Sequence, residues 1–334
     1  MKYTIVTLAS HSCLQILKGA KDEGFQTLAV ATPKSASFYK RFKFIDTVLE
    51  VENFGKLYDL QKSLFKKNVI IIPHGSFVAY LGKDYDKKLE LAHYGNKKVL
   101  AWESDRIKQG EWLQKAGLRQ PRIFEKPSEI DRTVMVKLHG AKGGSGYFIV
   151  RNKLEFDKKI ASLGNQKYLI QEYIVGVPVY LQFFYSRLNK EIELMGIDRR
   201  YESNVDGIGR LPASFQDSLN SEPSYTIVGN FPIAIRESLL PDAYKMAQQV
   251  IAVSQKLIPE KGLYGPFCLE TIVTPDCQFY TIEISCRIVA GTNLFTSGSP
   301  YTDFQYNVPM STGRRIAREI KEAIRLNRLQ EILD

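Results

Sequence analysis

Two glutamates thirteen residues apart, Glu270 and Glu283, are the residues in this chain best placed to do chemistry. Each sits in an apolar, β-branched run, residues 267–273 and 278–285, and Thr274-Pro275-Asp276-Cys277 lies between as a turn. In a hairpin of that length the two carboxylates can meet across the strands. Facing carboxylates repel unless a cation separates them. A hard, oxygen-seeking ion such as Mg²⁺ is commonly held by one or two carboxylates together with phosphate oxygens. Strict alternation puts Thr281, Glu283, Ser285 and Arg287 on one face and Ile282 and Ile284 on the other. Arg287 is then a candidate for a phosphate oxygen. The competing reading is a solvated hairpin face with Glu283 paired to Arg287.

Upstream, Val134-Met135-Val136-Lys137-Leu138-His139-Gly140-Ala141-Lys142-Gly143-Gly144-Ser145-Gly146-Tyr147-Phe148-Ile149-Val150 joins a lysine to a glycine-rich loop. A P-loop has its lysine after the glycines and a helix following. Here Lys137 precedes them and a strand pattern follows, so the stretch reads as strand, loop, strand. Such a hairpin can fold over a nucleotide as a lid. His139 beside the loop is either catalytic or structural.

The elements needed to position these groups follow from periodicity. Residues 1–100 alternate strand and helix: strands at 3–8, 27–31, 47–51 and 69–72, helices at 13–23 and 57–65. That is a doubly wound parallel α/β lobe, in which ligands sit at the carboxyl ends of strands. Two such ends look alike, Ala9-Ser10-His11-Ser12 and Pro73-His74-Gly75-Ser76. Each offers hydroxyls and a histidine for an anion, although helix capping alone accounts for Ser12 or Ser76. Residues 103–117 read as one helix with Asp105, Lys108 and Trp112 near one face. Residues 242–257 and 312–333 read as further helices, the last amphipathic through Ile316, Ile320, Ile324 and Leu333. The expected division is a substrate lobe over 1–100, a helical linker over 101–129, a small β-rich lid lobe over 130–185 and a large lobe over 186–334.

The bulk properties are those of an ordinary globular chain: 334 residues, 44% hydrophobic and 25% charged. The net charge of +10 invites a nucleic-acid partner, but the lysines are scattered singly and in pairs without a basic run. A solvated basic surface, or attraction of small anions, accounts for it better. No stretch has the apolar length of a membrane span. Cys13, Cys268, Cys277 and Cys286 show no C-x-x-C pairing and read as reduced thiols of a cytoplasmic protein. The N-terminus runs straight into a strand pattern with no signal-peptide layout.

Taken in order, Lys108, Lys137, the glycine hairpin, Gln171-Glu172-Tyr173-Ile174 and Glu283-x-x-x-Arg287 resemble the ATP-grasp superfamily over essentially the whole chain. The resemblance implies an ATP-grasp fold behind the α/β lobe. Lys108 and Lys137 would contact the ATP phosphates, and Gly143, Gly144, Ser145 and Gly146 would close over them. Gln171, Glu172 and Ile174 would line the adenine, with backbone groups from Glu172 through Tyr173 to Ile174 reading its edge. Glu202 would meet the ribose. Glu270 and Glu283 would hold Mg²⁺, or Mn²⁺ in its place. The superfamily pattern Glu-x-Asn-x-Arg has Ser285 in place of asparagine, which puts a third metal ligand in doubt.

Ser10-His11-Ser12, Pro73-His74-Gly75-Ser76 and Glu283-Ile284-Ser285-Cys286-Arg287-Ile288-Val289-Ala290-Gly291-Thr292-Asn293 resemble, more closely, the archaeal formate-dependent aminoimidazole carboxamide ribonucleotide ligases of purine biosynthesis. In that family the serine is usual. The resemblance implies that ATP, formate and the aminoimidazole carboxamide ribonucleotide (AICAR) give ADP, phosphate and the formylated ribonucleotide (FAICAR). Lys137 and Arg287 would be catalytic, while His11, Ser12, Ser76 and Asn230 would receive the ribonucleotide. A homo-oligomer, trimer or hexamer, is also implied. The alternatives are an ATP-grasp ligase for another carboxylate and amine, and a non-catalytic nucleotide- or RNA-binding protein.

Overall fold

Three sheets position the groups named above. The computed structural model describes residues 3–65, 68–82, 84–138, 147–161, 167–219 and 224–334. The first sheet is parallel, in the order β3-β2-β1-β4-β5, from β1 (Thr4–Leu8), β2 (Gln26–Ala31), β3 (Thr47–Glu50), β4 (Val69–Ile71) and β5 (Ala92–His93). Every residue of β1 and β4 is buried, as expected of parallel strands covered on both faces. A four-stranded antiparallel sheet, β6-β9-β7-β8, follows from β6 (Ile123–Phe124), β7 (Val134–Leu138), β8 (Tyr147–Val150) and β9 (Tyr168–Glu172). Its apolar face carries Phe124, Val134, Val136, Phe148, Val150 and Ile170, which cluster with Phe156 of the helix Lys153–Ala161. The third sheet, β12-β11-β10-β13-β14, is antiparallel and is built from β10 (Val177–Ser186), β11 (Glu191–Glu202), β12 (Ile227–Pro232), β13 (Gly265–Val273) and β14 (Phe279–Ser285).

Sheet membership divides the chain differently from the expected spans. Strand β6 lies within 101–129 yet pairs with β9 through Ile123 and Gln171. Nearly all of β10 lies within 130–185, yet β10 is the central strand of the third sheet. Residues 103–117 are also not one helix. Glu103 ends the helix Lys97–Glu103, and Arg106–Lys115 starts afresh. The break is at Asp105, whose side chain accepts from the Ile107 and Lys108 N–H groups as an N-cap. The last helix stops at Arg325, and Leu333 lies beyond it. Among the described residues no helix is long and apolar enough to cross a membrane.

The helix Thr312–Arg325 locks the first sheet to the third. It crosses the helix Cys13–Asp22 so closely that a Cβ at Gly19 would lie 2.2 Å from the Arg314 nitrogen, and one at Gly313 would lie 2.3 Å from the Gln15 carbonyl. Only glycine at both positions allows this approach. Arg314 then reaches Glu23 at 2.7 Å. A second tie is a parallel bridge between His74, after β4, and Ile288, after β14. Both ties fix the two strand-end loops against the carboxylate hairpin.

Candidate active site

Glu270 and Glu283 stand directly opposite each other in the β13–β14 pairing. Strict alternation does not hold beside them. The register slips between Glu270 and Thr271, so that Thr271 faces Thr281 and Ile282 is the extra residue. In such a bulge two consecutive residues oppose one, which re-aims their side chains. Ile282 and Glu283 therefore both line the same cavity, while Thr281 is buried. This corrects the expectation that Thr281 shares the face of Glu283 and that Ile282 lies on the other.

The cavity has a volume of about 1170 Å³ and is walled by all three sheets. His74 and Gly75 come from the first sheet, Met135, Lys137, Leu169 and Gln171 from the second, and Arg200, Glu202, Glu283 and Arg287 from the third or its exit. That volume exceeds a typical small-ligand pocket and accommodates a nucleotide beside a second ligand.

At one end Lys137 donates to the Gln171 side-chain oxygen at 2.6 Å. Burial, then Arg106, lowers the pKa of Lys137, and Glu283 opposes them. Glu202 lies in the same wall, and burial chiefly raises its pKa. On the floor, Glu283 is open to cavity water but surrounded by protein. That environment, with Glu270 and Glu103 nearby, pushes its pKa up to about 7. Glu270 is buried; its Oε1 lies 2.7 Å from an Arg200 guanidinium nitrogen and accepts from the Ser285 hydroxyl at 3.1 Å.

At the other end His74 lines the cavity and its ring stacks on that of His11 with centres 5.4 Å apart; His11 and Ser76 themselves are not among the lining residues. Ser10 faces Nδ1 of His11 at 2.6 Å, and Ser76 faces its Nε2 at 2.9 Å. His11 adopts a left-handed backbone (φ 45°), a conformation that clusters at functional sites. Burial and then Arg287 lower its pKa. His74 is wholly enclosed and its pKa is depressed to about 3, mainly by burial, so at neutral pH it is an uncharged ring bonded to the Leu8 carbonyl.

Several expected residues sit elsewhere. Lys108 is exposed, 5.8 Å from the centre of the Trp102 ring, and does not line the cavity; Arg106, two residues earlier, does. Trp112 is fully buried, donating to the Val250 carbonyl at 2.9 Å, so it shares no face with Lys108. Ser12 is fully buried and its hydroxyl has no partner. Ser10 faces His11 instead. Strand alternation turns Glu172 away from Gln171, and its carboxylate pairs with Arg132 at 2.9 Å. The Glu172 and Tyr173 N–H groups are engaged by the Arg122 and Thr133 carbonyls. The Tyr173 hydroxyl reaches that of Tyr225 at 3.5 Å, and Ile174 is half-buried past the strand end. Asn230 donates to buried Asp198 at 2.8 Å. His139, Gly143, Gly144, Ser145 and Gly146 lie outside the described residues.

Arg287 does not pair with Glu283. It binds Glu103 at 2.9 Å, whose other oxygen accepts from the Cys286 N–H at 2.7 Å. Glu103 was not signalled by the sequence, being one acidic residue at an unmarked helix end. Arg200 was legible in principle, since alternation along β11 puts it on the face of Glu202.

The donor set fits a divalent ion. Two carboxylates face each other, and the proton affinity of Glu283 is raised partly by their repulsion. No third His, Cys, Asp or Glu completes a metal cluster among the described residues. Glu270 and Glu283 would hold the ion, and phosphate oxygens would complete its shell.

Known proteins carry the same architecture. The crystal structure of an IMP biosynthesis protein PurP from Thermococcus kodakaraensis superimposes with a TM-score of 0.81 at 33% identity, over 99% of this chain and 100% of that one. An ADP complex of N5-carboxyaminoimidazole ribonucleotide synthetase shares the fold at a TM-score of 0.67 and 14% identity, over 95% and 76% of the two chains. The fold is therefore that of the ATP-grasp ligases. Family models described as a protein of unknown function (DUF1246) and a domain of unknown function (DUF1297) match residues 5–124 and 150–334. A 5-formaminoimidazole-4-carboxamide-1-(beta)-D-ribofuranosyl 5'-monophosphate synthetase from Pyrococcus horikoshii is 52% identical, over 98% of this chain and 99% of its own. Its namesake from Methanocaldococcus jannaschii is 44% identical over 99% and 94%. The chain belongs to this synthetase family.

Proposed function

We propose that the protein joins formate to the amine of the aminoimidazole carboxamide ribonucleotide at the expense of ATP, as the names of its relatives suggest. The observation that carries this reading is the single cavity. Lys137 and Gln171 line one end and His74 and Gly75 the other, with Glu283 and Arg287 between them, and His11 with Ser76 packs against His74 and Gly75.

Formate resists attack by an amine because its carboxylate is already electron-rich. Its oxygen attacks the γ-phosphorus of ATP, a phosphorus–oxygen bond to ADP breaks, and formyl phosphate results. The ribonucleotide amine then attacks the formyl carbon, the carbon–oxygen bond to phosphate breaks, and the amine loses a proton. Lys137 and Arg287 supply positive charge where negative charge migrates. Mg²⁺ on Glu270 and Glu283, or Mn²⁺ in its place, would neutralise phosphate oxygens. Gln171 orients Lys137, and the apolar wall of Met135, Leu169 and Ile282 forms an adenine platform. Glu202 meets the ribose. Ser10, Ser76 and His11, whose hydroxyls and ring face one another, hold the ribonucleotide. The protein acts in the cytoplasm as a homo-oligomer.

The test is ADP release with ATP and Mg²⁺, with formate and ribonucleotide each present or omitted. ADP is expected only with both. Release at background with all components refutes the reading.

A further inference from the structure

One side chain crosses a whole strand to reach the carboxylate pair. Tyr180 on β10 is in register with Glu270 on β13, and Glu270 with Glu283 on β14. Arg200 on β11 reaches over the Tyr180 ring, its guanidinium 4.0 Å from the ring centre, and meets Glu270 Oε1 at 2.7 Å. The result is a row on one face of the sheet: guanidinium, aromatic ring, carboxylate, carboxylate.

The charges in this row decide when a metal can enter. Glu103, Glu270 and Glu283 bring three carboxylates, of which Glu103 is matched by Arg287 and Glu270 by Arg200. Glu283 is left as the carboxylate in the group without an ion-pair partner here. A hard cation gains little from one carboxylate, and a guanidinium close to the second opposes it directly. The Tyr180 ring restrains the guanidinium, so moving it away is unfavourable. A nucleotide's phosphates add the negative charge and oxygen ligands that the protein lacks.

We infer that Arg200 keeps the Glu270–Glu283 site from binding a divalent cation by itself, so that metal enters with the nucleotide. The inference rests on the assignment of these two glutamates as metal ligands. It makes ordered metal–nucleotide entry a property of one side chain that the proposed reaction does not otherwise use.

The experiment is Mn²⁺ binding, followed by the paramagnetic resonance signal of free Mn²⁺, with and without a non-hydrolysable ATP analogue. Wild-type protein is expected to bind Mn²⁺ at least tenfold more weakly without the analogue. Arg200→Gln, which keeps a hydrogen-bond donor near Glu270 but removes the charge, is expected to bind Mn²⁺ about tenfold or more tightly than wild type without the analogue. Arg200→Lys keeps the charge and is expected to stay within about threefold of wild type. Unchanged or weaker binding by Arg200→Gln overturns the inference while leaving the metal site standing. Should that variant not fold, a tight Mn²⁺ site in nucleotide-free wild type overturns it equally. If wild type retains no Mn²⁺ beyond that bound by free analogue, the metal assignment fails and takes the inference with it.

Discussion

Replacing Glu283 by Gln separates a functional carboxylate from a structural one. The side chain faces Glu270 in register, is open to the cavity, and has no ion pair of its own among the described residues. Two unit charges about 4 Å apart at an effective dielectric near 20 interact by about 4 kcal/mol. Cavity water screens part of this, so the expected loss of turnover is roughly a hundredfold to a thousandfold, at about tenfold per 1.4 kcal/mol. Stability should move the other way. Surrounding protein and the neighbours Glu270 and Glu103 raise the Glu283 pKa from its ordinary 4.5 to about 7. Between those values the folded protein binds more protons than the unfolded chain, so this group lowers stability as pH rises. The penalty is complete above about pH 7 and absent below about pH 4.5. Glu283→Gln removes it, so the variant should melt at or above the wild-type temperature at pH 8 and close to it at pH 5. Formate-dependent ADP release and thermal melting at both pH values check this. Turnover within tenfold of wild type, or a marked fall in melting temperature at pH 8, refutes the reasoning.

Two further contrasts follow from where the structure puts the side chains. Lys108→Ala should leave the ATP dependence of turnover within about twofold, since Lys108 rests on Trp102, whereas Arg106→Ala should raise the KM for ATP several-fold; steady-state kinetics with varied ATP decide. Ser12→Ala should leave the KM for the ribonucleotide unchanged and stability equal or slightly higher, because it removes a buried hydroxyl without a partner. Ser76→Ala should raise that KM about tenfold, through loss of the hydroxyl at His11 and of any bond to the ligand; titration of the ribonucleotide at fixed ATP and formate reads both.

The doubly wound lobe was legible because its strands are continuous apolar runs and its first helix ends at Gly24, at positive φ. The carboxylate pairing was legible from hairpin length and turn residues. The bulge at Ile282 was not. A single extra residue leaves the hydrophobic pattern of 278–285 intact while exchanging the faces of Thr281 and Ile282. The helix break at Asp105 was written in the sequence as an N-cap residue, but the surrounding helix formers mask it. Lys108 was chosen for its charge, although Ile107 and Gln109 beside it belong to the cavity wall and imply a different face. Glu103 was beyond reach: its partners Cys286 and Arg287 are more than 180 residues away, and nothing local marks it.

The positions that resisted sequence reading are those where separate lobes meet. Arg287 illustrates why. Its guanidinium is held by Glu103 from the helix preceding the lid lobe, and a Cβ at Gly75, in the loop after β4, would lie 3.7 Å from it. It also depresses the proton affinity of His11, in the loop after β1. One side chain thus senses the first sheet, the linker helix and the carboxylate hairpin together. A local pattern fixes which strand Arg287 follows and which face it takes. Its charge environment depends on three contacts distributed along the chain, and these set whether it faces Glu283 or the loops after β1 and β4. The structure selects the loops, because Glu103 satisfies the guanidinium from behind. That leaves Glu283 without an ion pair among the described residues and open to the cavity, as the proposed metal role requires.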